Sequence, residues 1–267
     1  MKKIILLAFF YTLNIQCQVS DNPYPGYRFS NFDDSPAYNL ANAVNEENIN
    51  TITEIISSNP ELINVKESKF GMTLLCLTIA NDKREAFKAL IANGANVNEI
   101  CGKFEKTTPL ITAIEFLDDC DAFFVNELLK NNCDVNLKVI STNEKGSVSE
   151  NLPLFVNLSC LEVSKILIEK GADLNSTIKF PPYKKTFSLI DVCLMYKELD
   201  FLYYLINVKN IEIPEEIELE KLDGITKKNL VEYLKSEEFN LPDSSEFQNK
   251  RKKLIKLIQQ KQNLKVD

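Results

Sequence analysis

The chain of 267 residues contains no histidine. Histidine is the commonest general base near neutral pH and the commonest neutral metal ligand. Its absence excludes Ser-His-Asp and Cys-His catalysis and every His-based zinc site. Tryptophan is also missing, and glycine occurs only 7 times. No GxGxxG or GxxxxGK[ST] string can be found, so a glycine-rich phosphate loop is excluded. There is no CxxC, which removes support for a zinc knuckle or a thioredoxin-type redox motif. Positive charge is in deficit: 31 Lys and Arg stand against 38 Asp and Glu, a net charge of −7. Such a balance argues against non-specific nucleic-acid binding, which needs cations to replace phosphate counterions. No cofactor is implied. The carboxylates Asp118, Asp119 and Asp121 read as an acidic loop, since a general acid/base pair would need a pocket that spacing cannot supply.

What is present suits a folded chain: 45% hydrophobic, 26% charged and 9% aromatic residues, enough for a sizeable core. Lys2 and Lys3 precede an apolar run from Ile4 to Leu13. That run has the length of a signal-peptide core and is too short for a membrane-spanning helix, which needs about 20 apolar residues. Residues 1–17 are therefore expected to be a bacterial-type signal peptide, the chain being exported to the periplasm or cell envelope. Cys17 leaves two outcomes open: cleavage to a soluble chain starting at Gln18, or lipid attachment at Cys17. Gln16 is a poor residue before a lipidated cysteine. Residues 18–36, with Pro23, Pro25, Gly26 and Pro36, read as a turn-rich spacer.

The remainder repeats. Asn93-Gly94-Ala95-Asn96-Val97-Asn98 recurs as Asn131-Asn132-Cys133-Asp134-Val135-Asn136 and as Lys170-Gly171-Ala172-Asp173-Leu174-Asn175, at spacings of 38 and 39. Decayed copies stand at 209–214 and 59–64. A second motif precedes each copy: Thr73-Leu74-Leu75, Thr108-Pro109-Leu110, Leu152-Pro153-Leu154 and Ser188-Leu189-Ile190. Pro109 and Pro153 suit the first turn of a helix, and Thr108 suits its N-cap. A second helix should follow each first one. Its apolar residues fall at helical spacing: Ala86, Phe87, Leu90 and Ile91, then Val125, Leu128 and Leu129, then Val163, Ile166 and Leu167. Gly94 and Gly171 should stop those helices in left-handed conformation.

These units resemble ankyrin repeats. Thr108, Pro109, Leu110 and Ala113 match the helix-start motif, as do Pro153 and Leu154; Gly171, Ala172, Asp173 and Asn175 match the closing motif. The motif histidine is kept in no unit. The resemblance implies an all-α solenoid of helix-turn-helix repeats with short hairpin loops, about five units over 37–214, clearest over 71–175. It also implies a non-catalytic scaffold that binds another protein through its loop fingers and concave face.

Residues 215–267 read as a C-terminal helical cap. Glu215, Glu216, Glu218 and Glu220 form an acidic patch, a helix is expected over 226–235, and another over 248–265. The last is basic, with Lys250, Arg251, Lys252, Lys253, Lys256, Lys261 and Lys265. It reads either as a solvated face or as a contact to an anionic surface. Together with Cys17 it supports the alternative function, an envelope-anchored structural or surface protein.

Cys76, Cys133 and Cys193 fall at positions that pack small side chains inside; Cys101 and Cys120 fall in loops and are freer to pair, while the partner of each, Cys160 included, stays open. For partner binding, the candidates are Phe104 in the finger 99–106 and Phe180, Tyr183, Lys184 and Lys185 in the finger 176–185. Exposed aromatics beside charge suit interface anchors. The alternative is that these rings pack on the next repeat.

Overall fold

The computed structural model describes residues 22–221, 224–239 and 244–263. The expected signal peptide and Cys17 lie outside the described residues. The helices come in pairs: α1 (Tyr38–Asn45) with α2 (Ile49–Ser58), α3 (Leu74–Ala80) with α4 (Arg84–Ala92), and α5 (Pro109–Glu115) with α6 (Phe123–Lys130). After the hairpin β1 (Val139–Thr142) and β2 (Val148–Asn151) comes α7 (Leu161–Glu169). The hairpin β3 (Thr177–Ile178) and β4 (Phe187–Ser188) leads to α8 (Leu189–Tyr196) with α9 (Leu199–Asn207). Each first helix packs on the next first helix from α1 to α5, α2 packs on α4, and α7 on α9. The result is a helical repeat fold with a few small strands.

Local chemistry sets these boundaries. Thr108 Oγ1 accepts from the Ile111 N–H at 3.1 Å, and Ser188 forms a reciprocal capping box with Asp191; such caps satisfy amide donors that a helix start leaves unpaired. The second helices end in left-handed residues: Gly94 at φ +95°, Gly171 at +92°, and Asn132 at +61° where glycine is replaced. Asparagine tolerates that region better than other side chains.

The recurring asparagines join one unit to the next. Asn64 Oδ1 accepts from Asn96 N–H at 2.9 Å, Asn98 Oδ1 from Asp134 N–H at 2.7 Å, and Asn136 Oδ1 from Asp173 N–H at 2.9 Å. The degenerate string at 59–64 is thus a working copy of the motif. The first helices are apolar nearly all round: Leu74, Leu75 and Leu77 in α3, and Leu110, Ile111 and Ile114 in α5, are buried. The second helices bury one face only, through Phe87, Leu90, Val125 and Leu128.

Four expectations need correction. Residues 22–36 are no free spacer. Phe29 and Phe32 are buried, Asn22 Nδ2 donates to Ala80 O at 2.9 Å, and Asn81 Nδ2 donates to Tyr27 O at 2.9 Å. The stretch lies as a strap over α1 and α3, held to the end of α3 by the asparagine bonds and with the Tyr27 ring against Phe116. Second, Pro153 starts only a short 3₁₀ turn, Pro153–Phe155, and no first helix forms in that unit. The left-handed residue that turns the chain back follows Leu74 by 8 positions (Asp82) and Leu189 by 8 (Lys197), but follows Pro153 by only 4 (Asn157). Four residues are about one helical turn, so too little chain remains for the helix. Third, the acidic stretch from Glu216 lies in the hairpin β5 (Glu216–Lys221) and β6 (Gly224–Asn229), where Glu218 faces Lys227 across the strands. The expected helix starts late, as α10 (Leu230–Lys235), capped by Asn229. Alternation between the two strands' charges, and cross-strand pairing, outweighed the helical reading. α11 (Ser245–Asn263) then packs on α9 and α10. The C-terminal part therefore repeats the order of hairpin, short helix and longer helix. Fourth, Cys101 is buried, as described below.

Candidate binding surface

Each first helix after α1, or the turn that replaces it, is preceded by a loop finger. The first two fingers close with single bridges, Lys66 to Thr73 and Cys101 to Thr107, and the next three are the hairpins β1–β2, β3–β4 and β5–β6. They are bonded to one another in order. Lys103 N–H donates to Phe70 O at 2.7 Å, Lys106 N–H to Ser141 Oγ at 2.7 Å, Glu150 N–H to Lys179 O at 2.6 Å, and Lys185 Nζ to Glu218 O at 2.6 Å. Two features keep the early fingers tight. Glu67, buried, accepts from the amides of Lys69, Phe70 and Met72 at 2.6 to 2.9 Å. Gly102 sits at φ +89°, and a Cβ there would stand 1.8 Å from Glu105 O.

Where the fourth unit lacks its first helix, the row of fingers and helices frames an open cavity of about 850 Å³. Its walls come from α5 (Glu115), the finger 102–107, the replacing segment Phe155–Ser159, and the end of α8 with Tyr196. Tyr27 of the N-terminal strap closes another side, its ring 4.7 Å from that of Phe116. Although Glu115 is exposed to the cavity, the protein around it displaces part of the water that its carboxylate needs; that desolvation, with the neighbouring charge of Glu105, pushes its carboxyl up to about 7. Burial likewise raises the Glu198 carboxyl above its ordinary range, with Asp200 adding to the effect.

The candidate residues separate on this surface. Phe104 is 68% exposed at the cavity rim. Phe180 also lines the cavity, but its ring stacks on buried Phe187 with centroids 4.4 Å apart. Tyr183, 37% exposed, meets both rings edge-on. The aromatics of this finger thus pack largely on the following unit. Lys184 is exposed. Lys185 is turned inward, its side chain 9% exposed, paired with Asp191 at 2.9 Å and placed over the Phe187 ring. It ties the finger to the start of α8. Tyr27, Glu105, Glu115, Phe155 and Tyr196 were not among the sequence candidates. The shortened interval from Pro153 to Asn157 is the trace they left in the sequence.

Cys120 and Cys160 form a disulfide with Cα atoms 5.8 Å apart. It joins the turn before α6 to the residue preceding α7, across the edge of the unit that lacks a first helix. Cys101, expected in an open loop, is buried under the second finger, where the Cys76 thiol donates to its sulfur at 3.5 Å. That bond and burial hold the Cys76 thiol well above its ordinary range. Cys193 is buried and Cys133 half-buried. Among the described residues no cluster of potential ligands could hold a metal ion.

A family profile described as ankyrin repeats (3 copies) matches residues 40–139. Residues 40–139 are ankyrin repeats. The matched stretch runs from α1 to the start of β1, so it contains the three complete early pairs and ends before the unit with the missing helix. No curated protein matches the chain. Ankyrin repeats are protein-interaction modules, typically without catalytic activity.

Proposed function

We propose that this protein is an exported, non-catalytic scaffold that binds another protein through its fingers and its concave face. The helix pairs then act as one solenoid, with the C-terminal hairpin and helices closing its end. The observation that carries the reading is the open cavity among bonded fingers, with Phe104 standing exposed at its rim. A cavity of this size lies in the range of ligand pockets, roughly 300–1,000 Å³, and exposed aromatics at such sites are frequent anchors. Export is supported by the apolar N-terminal run after two lysines and by the Cys120–Cys160 disulfide, since such bonds persist in oxidising compartments.

The anchored alternative draws less support from the C-terminal helix. Phe247, Leu254, Leu257 and Ile258 of α11 are buried, and the helix packs on α9 and α10, so that apolar face is not free to enter a bilayer. Lys250 is paired with Asp200 and Glu246, both at 2.7 Å. Lipid at Cys17 remains the separate route to a membrane.

The test is affinity capture from the envelope fraction of the producing cell, with the chain from Gln18 and its Phe104→Ala, Tyr196→Ala variant side by side. A protein retained by the first and lost by the second, at equal circular dichroism, supports the reading. Identical captured sets would refute it. Fractionation of full-length chain with and without Cys17→Ala separates soluble export from anchoring.

A further inference from the structure

The cavity has an acidic lining, with Glu105, Glu115, Glu150 and Glu198 against Lys103 and Lys106. Lys103 and Lys106 stand on its wall, but their ammonium groups donate to finger carbonyls, Ser68 O and Gly102 O. Glu150 is paired with Lys138 at 3.2 Å. Among the described residues no cation pairs with Glu115; the charged group that acts on it is a second carboxylate, Glu105. Around these acids stand rings: Tyr27, Phe104, Phe155, Phe180 and Tyr196 all line the same space.

This combination selects one ligand chemistry. An anionic group would meet two carboxylates. A purely apolar plug would strip water from them and give nothing back, a costly burial. A cation on an apolar stem satisfies both parts of the wall: its charge meets the acids through charge-assisted hydrogen bonds, and its stem and charge lie against the ring faces. The volume of about 850 Å³ leaves room for such a side chain together with its flanking backbone.

We propose that the cavity receives a lysine or arginine side chain carried on a segment of the partner protein, with Glu115 and Glu105 meeting its charge and the surrounding rings holding its stem. The inference rests on the scaffold reading above and adds the chemistry of the partner. In this arrangement the missing first helix of the fourth unit is what opens the pocket, and the N-terminal strap, through Tyr27, completes its wall.

The experiment selects peptides from a displayed random 12-residue library against the chain from Gln18 with its disulfide intact. Recovered peptides are measured by fluorescence anisotropy against the native chain and against the Glu105→Gln, Glu115→Gln double variant. A basic residue shared by the recovered peptides is then replaced by citrulline, which is close in shape to arginine and uncharged. The expected result is a shared Lys or Arg and a loss of at least about tenfold in affinity from either change, the scale of one charge-assisted hydrogen bond. The double variant should keep the native circular dichroism spectrum and melting transition. Peptides that bind without a basic residue, or that ignore both changes, overturn the proposal and leave the scaffold reading standing. Recovery of no peptide at all counts against both.

Discussion

Removing the Cys120–Cys160 bond should weaken one identifiable part of the molecule. The bond closes a loop between residues 40 apart. Loop-closure entropy for that length corresponds to about 4 kcal/mol at 25 °C, a large share of the roughly 5–15 kcal/mol that holds a typical domain together. The bond lies where it matters most. The unit it fastens has no first helix, so its own core is reduced to Leu154, Phe155, Leu158, Val163 and Leu167. Stability in a repeat array is approximately the sum of each unit and its nearest contacts. The loss should therefore stay near 153–171 and the cavity beside it. The assay compares native chain with Cys120→Ala, Cys160→Ala by urea unfolding, with amide hydrogen exchange to locate the change. We expect a loss of about 2–4 kcal/mol and faster exchange concentrated in α7 and the replacing segment, α1 to α4 keeping their protection. A loss under about 1 kcal/mol, or faster exchange spread evenly into α1 and α2, would refute the reasoning.

Three more outcomes are expected. Asn136→Ala removes two bonds to the next unit, Asp173 N–H to Oδ1 at 2.9 Å and Nδ2 to Gly171 O at 3.0 Å; thermal unfolding should report a cost of about 1 kcal/mol, against almost none for Asn126→Ala on the surface of α6. Phe104→Ala should leave the melting temperature nearly unchanged, because surface substitutions cost within about 0.5 kcal/mol, whereas Phe180→Ala should lower it by the loss of its stacking on Phe187. Glu115 holds its proton to about pH 7 in the folded chain, against 4.5 for an ordinary glutamate, so the folded state binds more protons between those values and stability falls as pH rises through that window. Glu115→Gln should flatten the difference in melting temperature between pH 5 and pH 8, and an unchanged difference would remove Glu115 as its source.

Much of this protein was written locally. Thr108 and Pro109 can start a helix with no knowledge of the rest of the chain, because the cap and the missing N–H act within four residues. Gly94 and Gly171 end helices for an equally local reason. The period near 39 residues then followed from repetition alone, and it made the ankyrin resemblance legible before any coordinate. Phe104 was visible as an aromatic in a finger, while its exposure was left to the structure to decide.

Other features depended on what came to lie beside them. Tyr27, Phe29 and Phe32 look like part of a turn-rich spacer until Phe116 meets the Tyr27 ring and α1 packs against the turn that holds the two phenylalanines. The acidic stretch after Pro214 became a strand because the lysines of β6 lie opposite it. Cys101 and Lys185 are buried or committed by neighbours 25 and 33 residues away in sequence, Cys76 and Glu218. The cavity depends on such encounters most of all. Composition and periodicity determined the repeat, the caps and the fingers, since those rest on spacing along the chain. Only the tertiary structure decided that four missing residues after Pro153 would leave an open space, and that acids and rings from separate units would line it.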